Sequence, residues 1–255
     1  MAARTFIVTS SMGGAGRTTV AVGLALALAD AGQRTALADL ATQRPWAHRY
    51  LGVDPDLERR GIAGLMRWAG DAKNARLVRD ARDVRPFIVS ISERLDLLPG
   101  LDEGAWHGSD KSPLRRQLLT NAATLDRALD VIVPEYDAIV IDASSDRYTA
   151  VGAAGYLFAA RQRELGTAIL VAPDNDPGDE ADFWTQMCTW RHFAAGGLGA
   201  LPVVAVGNRG CAQMASGSVP MVASISQTGN GLVAVVAARD ALTLWVSDGS
   251  PRGAS

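Results

Sequence analysis

Ser10-Ser11-Met12-Gly13-Gly14-Ala15-Gly16-Arg17-Thr18-Thr19 is the stretch around which this chain is built. The apolar run Phe6-Ile7-Val8 precedes it, and a second run, Val20 to Ala29, follows. That order predicts a buried strand, a glycine-rich turn and a helix. Gly13, Gly14 and Gly16 let backbone N–H groups curl inward around an anion. The helix behind them adds the positive end of its dipole. Thr18 stands where a hydroxyl can reach Mg²⁺. The stretch therefore reads as a phosphate-binding P-loop. Its candidate nucleotide-binding residues are Gly13, Gly14, Ala15, Gly16, Arg17, Thr18 and Thr19.

The match to the pattern G-x-x-x-x-G-K-[ST] departs at two places. Ser11 takes the first Gly position and Arg17 takes the Lys position. Arginine carries charge to a phosphate, but as a planar fork rather than a compact ammonium. A second signal stands far downstream. Ala138-Ile139-Val140-Ile141-Asp142 is an apolar strand closed by a carboxylate. At the C-terminal end of a central strand such a carboxylate lies beside the loop and holds Mg²⁺ through water.

Met12-Gly13-Gly14-Ala15-Gly16-Arg17-Thr18-Thr19 resembles the deviant Walker A loop, K-G-G-x-G-K-T-T, of the ParA/MinD ATPases. In that family the signature Lys, here Met12, reaches the partner subunit's nucleotide in a sandwich dimer. Arg34-Thr35-Ala36-Leu37-Ala38-Asp39-Leu40-Ala41-Thr42-Gln43 resembles the strand that ends D-x-D-P-Q at switch I. Asp39 and Gln43 are kept. Ala41 replaces the second Asp, which positions the attacking water in the family. Leu95-Asp96-Leu97-Leu98-Pro99-Gly100 resembles the family's L-x-x-L-P-x-G strand, and Ala143 to Asp146 would be switch II. The resemblance implies Asp39 and Asp142 as catalytic residues. It implies Thr18, Asp39 and Asp142 as the Mg²⁺ site and ATP or ADP as ligand. It also implies an adenine contact from Asn208, which ends the strand Leu201 to Val206.

Composition sets the outer limits. The 255 residues suffice for one large α/β domain with a full core. A 48% hydrophobic and 20% charged composition is that of an ordinary globular protein. The formal charge of −2 gives no global pull toward nucleic acid, so strong DNA binding is not expected. Cys188 and Cys211 lack metal spacing and suit a reducing compartment. His48, His107 and His192 read as structural or surface residues. Met1-Ala2-Ala3-Arg4 leads straight into the first strand, so no signal peptide is expected. No apolar run approaches the ~18–20 residues of a membrane span. A cytoplasmic protein is expected, recruited by a partner at most to the nucleoid or membrane periphery.

The remaining elements alternate. Helices are expected at Trp46 to Gly52, within Leu57 to Val84, at Leu114 to Val133, Val151 to Ala160 and Gly231 to Val246. Strands are expected at Phe87 to Ile91, Leu95 to Leu98, Thr167 to Ala172 and Val219 to Val222. Asp174 to Asp182 is an acidic cluster opening a helix, and Asp102 to Pro113 is a polar loop. The last helix reads as core rather than as a membrane-docking tail of the MinD kind. The pattern predicts a single doubly wound, mostly parallel sheet over residues 1–255, with a polar tail from 247 to 255. Between Arg59 and Arg85 basic residues outnumber acids, which reads as a solvated helix pair covering the sheet or, in the alternative, as a surface for a protein partner or a phosphate backbone.

These features imply a dimerising nucleotide switch with impaired hydrolysis. It would position or assemble a cargo such as a plasmid, a division component or envelope machinery. The alternative is a pseudo-ATPase adaptor that recruits a secretion, pilus or polysaccharide-synthesis apparatus without turnover. A metabolic relative of amidotransferase or synthetase type would need a substrate-binding constellation, and the sequence offers none.

Overall fold

The computed structural model describes residues 3–11, 14–41, 46–54, 56, 59–69, 77–100, 122–143, 150–162, 165–172, 201–208, 219–225 and 231–247. Strand β1 (Arg4–Thr9) is buried beyond its first residue, as a continuous apolar run is when both faces are covered. Helix α1 (Arg17–Asp30) is buried on most of its circumference. It stops where Gly32, at φ +86°, turns the chain left-handed. Gly32 N then donates to Ala29 O and Gln33 N to Leu28 O, each at 3.0 Å, which satisfies two terminal carbonyls.

The chain continues through β2 (Thr35–Leu40), α2 (Ala47–Tyr50), α3 (Gly61–Ala69) and α4 (Ala81–Val84). Next come β3 (Val89–Ser90), β4 (Leu95–Leu98), α5 (Ala122–Ile132), β5 (Ala138–Ala143) and α6 (Ala150–Arg161). It closes with β6 (Gly166–Ala172), β7 (Val203–Gly207), β8 (Met221–Ser224) and α7 (Leu232–Ser247). The strands form one eight-stranded sheet in the order β3-β4-β2-β5-β1-β6-β7-β8. Every pairing is parallel except that of β3 with β4. From β1 the chain winds to one side through β2 and β4, then returns and winds to the other through β6 and β7. The crossover opens a crevice at the C-terminal end of β1, the place where such sheets bind ligands.

Apolar residues fill both faces. One face carries α1, α2 and α7 against Phe6, Val8, Val140 and Ile169. The other carries α3, α5 and α6 against Ile7, Ile139, Ile141 and Leu170. Helices α1 and α7 touch at backbone distance, because a Cβ on Gly23 would stand 2.7 Å from the Ala238 Cβ. The closing helix is therefore seated on the core through Val235, Ala238, Leu242 and Trp245, as expected. Among the described residues no helix is long and apolar enough to cross a membrane.

Prolines trim the strands. The run expected from Phe87 to Ile91 shrinks to Val89–Ser90, because Pro86 lies in a 3-10 turn over Arg85–Phe87. The strand expected from Leu201 begins at Val203, after Pro202, and the one expected from Val219 begins at Met221, after Pro220. Proline has no N–H to give a ladder, yet Pro202 O and Pro220 O still accept from Ala168 N and Ala205 N at 2.8 Å. Leu57 to Val84 holds α3 and α4. The expected Leu114 to Val133 helix is seen as Ala122–Ile132. Residues 114–121 lie outside the described residues. So do Met12, Gly13, Gln43, the 102–113 loop, switch II beyond Ala143, the acidic cluster, both cysteines, His107, His192 and the tail from 248.

A polar network ties the end of the sheet opposite the crevice. Asp96 on β4 is buried and accepts from Arg85 Nη1 at 2.9 Å and from the Tyr136 hydroxyl at 2.7 Å. Arg85 also pairs with Glu135, and the Arg34 and Arg85 guanidiniums lie 5.3 and 5.7 Å from the Tyr136 ring centroid. Burial, and then the bond to Asp96, push the Tyr136 hydroxyl pKa up. Removing Asp96 would leave the arginine and the phenol without their shared acceptor. Asp96→Ala is expected to cost about 2–3 kcal/mol in urea unfolding. A cost below about 0.5 kcal/mol would show that the network is no stronger than a surface ion pair.

Candidate nucleotide site

At the crevice the chain leaves β1, passes through Gly14, Ala15 and Gly16, and enters α1 at Arg17. Gly14 and Gly16 have φ of +83° and +95°, values an L-residue adopts only under strain. Gly16 precedes the first helical residue and offers no side chain to cap it. The first helical bond runs from Val20 N to Gly16 O at 3.0 Å. The N–H groups of Arg17, Thr18 and Thr19 thus lie at the end of the helix where no helical carbonyl reaches. This is the donor array an anionic phosphate needs.

Two carboxylates close the far side. Asp39 and Asp142 are register partners at the C-terminal ends of β2 and β5, and both are fully buried. Their surroundings differ. Asp39 accepts from Ala41 N and Ala47 N, each at 3.1 Å, so it ties the chain after β2 to the start of α2. Neither oxygen of Asp142 has a hydrogen-bond partner among the described residues. Burial raises the pKa of both groups. For Asp39 the neighbouring Asp142 adds to the rise, while the two backbone N–H groups and Arg17 oppose it. For Asp142 the Arg17 guanidinium and then the Thr18 hydroxyl oppose it, the hydroxyl from outside full hydrogen-bond geometry.

Arg17 Nη1 donates to Ala143 O at 3.0 Å. The guanidinium is therefore turned toward the end of β5, on the side of the two acids. Thr19 is buried at the start of α1. Asn208, just past β7, donates from Nδ2 to Ala15 O at 2.7 Å. Gly14, Ala15, Gly16, Arg17, Thr18, Thr19, Asp39, Asp142 and Asn208 are thus gathered around one crevice, and Gly13 lies outside the described residues. Sequence reasoning missed the Thr9 Oγ1–Tyr156 hydroxyl bond, 2.6 Å long and buried, which joins the end of β1 to α6. A lone tyrosine in an Ala- and Gly-rich helix was its only signal.

The donor set fits a hard divalent cation. A buried carboxylate with no hydrogen-bond partner among the described residues, beside a hydroxyl, is an oxygen site suited to a cation. Thr18 and Asp142 would hold Mg²⁺, and the ion would neutralise phosphate charge. Asp39, whose oxygens each accept one backbone N–H, would add a second negative charge from the neighbouring strand. Ala41 offers only a methyl and an N–H already bonded to Asp39.

Fold and crevice together define a P-loop nucleotide-binding domain of the doubly wound class. The chain belongs to the family of CobQ/CobB/MinD/ParA nucleotide-binding domains, whose model matches residues 6–240. It is similar to the septum site-determining protein MinD complexed with Mg-ADP from Pyrococcus horikoshii OT3, at 18% identity and TM-score 0.64 over all of both chains. It is similar to cobyrinic acid a,c-diamide synthase from Mycobacterium smegmatis with bound ATP analogue and magnesium, at 19% identity and TM-score 0.66 over 98% of each chain. A ParA family ATPase from Chlorobium tepidum TLS is similar at 15% identity and TM-score 0.65, over 96% of this chain and 98% of that one. At these identities the likeness is one of fold. No curated protein matches the chain.

Proposed function

We propose that this protein is a ParA/MinD-like nucleotide-dependent switch that binds ATP or ADP with Mg²⁺, pairs with a second copy and hydrolyses ATP poorly. It acts in positioning or assembling a cargo inside the cell. One observation carries the reading: the donor array of the loop faces a bare buried Asp142, while Met12, Arg17 and Ala41 replace the groups that would drive hydrolysis. The binding half of the site is kept and the reacting half is lost. The neighbours that bind Mg-ADP or an ATP analogue with magnesium support the choice of ligand.

Arg17 supports a second reading, a pseudo-ATPase adaptor. Its bond to Ala143 O turns the loop's one cation toward the protein rather than toward a ligand. Cargo or adaptor would meet the face bearing the exposed Arg59, Arg60, Arg67, Arg79 and Arg82. Calorimetric titration with ATP and ADP, with and without Mg²⁺, tests the nucleotide reading. Tighter binding with Mg²⁺ is expected. No binding at about 1 mM nucleotide, roughly −4 kcal/mol, would leave only the adaptor.

A further inference from the structure

Asn208 entered as a candidate for reading the adenine base, yet its side chain is engaged elsewhere. Asn208 N donates to Ala172 O at 2.9 Å, which extends the β6–β7 ladder by one residue and fixes the backbone there. The side chain is 8% exposed. Its Nδ2 reaches from the end of β7 to Ala15 O at 2.7 Å, and Ala15 is itself buried. A Cβ on Gly16 would stand 2.2 Å from Nδ2, 3.1 Å from Cγ and 3.8 Å from Oδ1, so the amide meets the glycine with its nitrogen end.

We propose that Asn208 is a positioning residue that holds Ala15 and Gly16 in the anion-binding shape, whatever base the ligand carries. The proposal rests on the nucleotide-binding reading above. Its physics is that of a planar trans peptide, in which C=O and the following N–H point in opposite directions. Drawing Ala15 O toward Asn208 sends the Gly16 N–H the other way, into the loop. Without the amide, that carbonyl is released to turn inward, and a carbonyl oxygen facing a phosphate repels it. Gly16 is required twice over: its φ of +95° and the Nδ2 pressed against it both exclude a side chain.

Inorganic tripolyphosphate is the discriminating probe, because it has phosphates and no base. Asn208→Ala should weaken tripolyphosphate and ATP by the same factor, about tenfold. Asn208→Asp, which sets an oxygen against Ala15 O, should weaken both further. In the free protein, hydrogen exchange of the amides from Gly14 to Thr18 should quicken in Asn208→Ala while β5 and β6 stay protected. Gly16→Ala, whose methyl displaces the amide, should act non-additively with Asn208→Ala. Loss of ATP affinity with tripolyphosphate binding intact would overturn the proposal in favour of base reading. Unchanged exchange at the loop would overturn it outright. A wild-type protein that binds neither probe would refute the nucleotide reading, and loop exchange would still decide the role of Asn208.

Discussion

ATP turnover by the purified protein is expected to lie on the order of 10²–10³ below that of a family member that keeps both loop lysines. Preorganised cations aimed at developing phosphate charge are the main source of rate in phosphoryl transfer. Here Met12 supplies none. Arg17 supplies one, as a planar fork with its Nη1 bonded to Ala143 O rather than as a compact ammonium. Ala41 cannot orient water, and its N–H is committed to Asp39. The paired change Met12→Lys and Arg17→Lys should raise phosphate release without tightening nucleotide binding to the same degree, since the lost groups act chiefly in the transition state. Turnover by the natural sequence within about tenfold of such a relative would refute impaired hydrolysis.

Asp142→Asn is expected to stabilise the nucleotide-free protein and to abolish the Mg²⁺-dependent gain in nucleotide affinity. The carboxylate is fully buried, lacks a hydrogen-bond donor among the described residues and faces Asp39 across two strands. Leaving a buried polar group unpartnered costs about 1–3 kcal/mol and more when it is charged, and the neutral amide removes the charged part of that cost. The pH dependence follows from the direction of the shifts. Asp39 and Asp142 are both held above the ordinary carboxylate range when folded, chiefly by burial. Between the unfolded value, about 4, and the raised folded values, the folded protein binds more protons than the unfolded chain. Stability is therefore fully present below about pH 4 and is lost as pH rises through the folded values. The variant should show a shallower loss in thermal melts over that window. A variant that melts below the natural protein at neutral pH would sink the argument.

Much of this architecture was legible because its signals are local. Phe6-Ile7-Val8, the glycine turn and the apolar helix gave β1, the loop and α1 in order. Asp142 at the end of four apolar residues placed the second acid on the neighbouring strand. The side-chain assignments were less legible, because they depend on what the fold brings alongside. Nothing near Asn208 in the chain hints that Ala15, far away in sequence, would accept its amide proton. Nothing near Asp39 hints that Ala47 N would bind its second oxygen, since that contact needs the turn between β2 and α2. Strand starts slipped where a proline stood at or next to the expected first residue, because hydrophobicity alone cannot tell an N–H donor from its absence. Arg17 shows the limit most clearly: its spacing marks a phosphate ligand, while its bond is to a carbonyl.

The two rims of the sheet have a consequence for self-association. One rim is β3, only two residues long and antiparallel to β4. The other is β8, four residues long, with a register irregularity against β7 at Ala205 and Val206. Short and kinked margins offer a poor template for strand-to-strand addition by another chain. A second copy therefore gains little by zipping onto either side into a continuous ribbon. Crowding at high concentration should drive the molecules toward face contacts rather than toward fibrils.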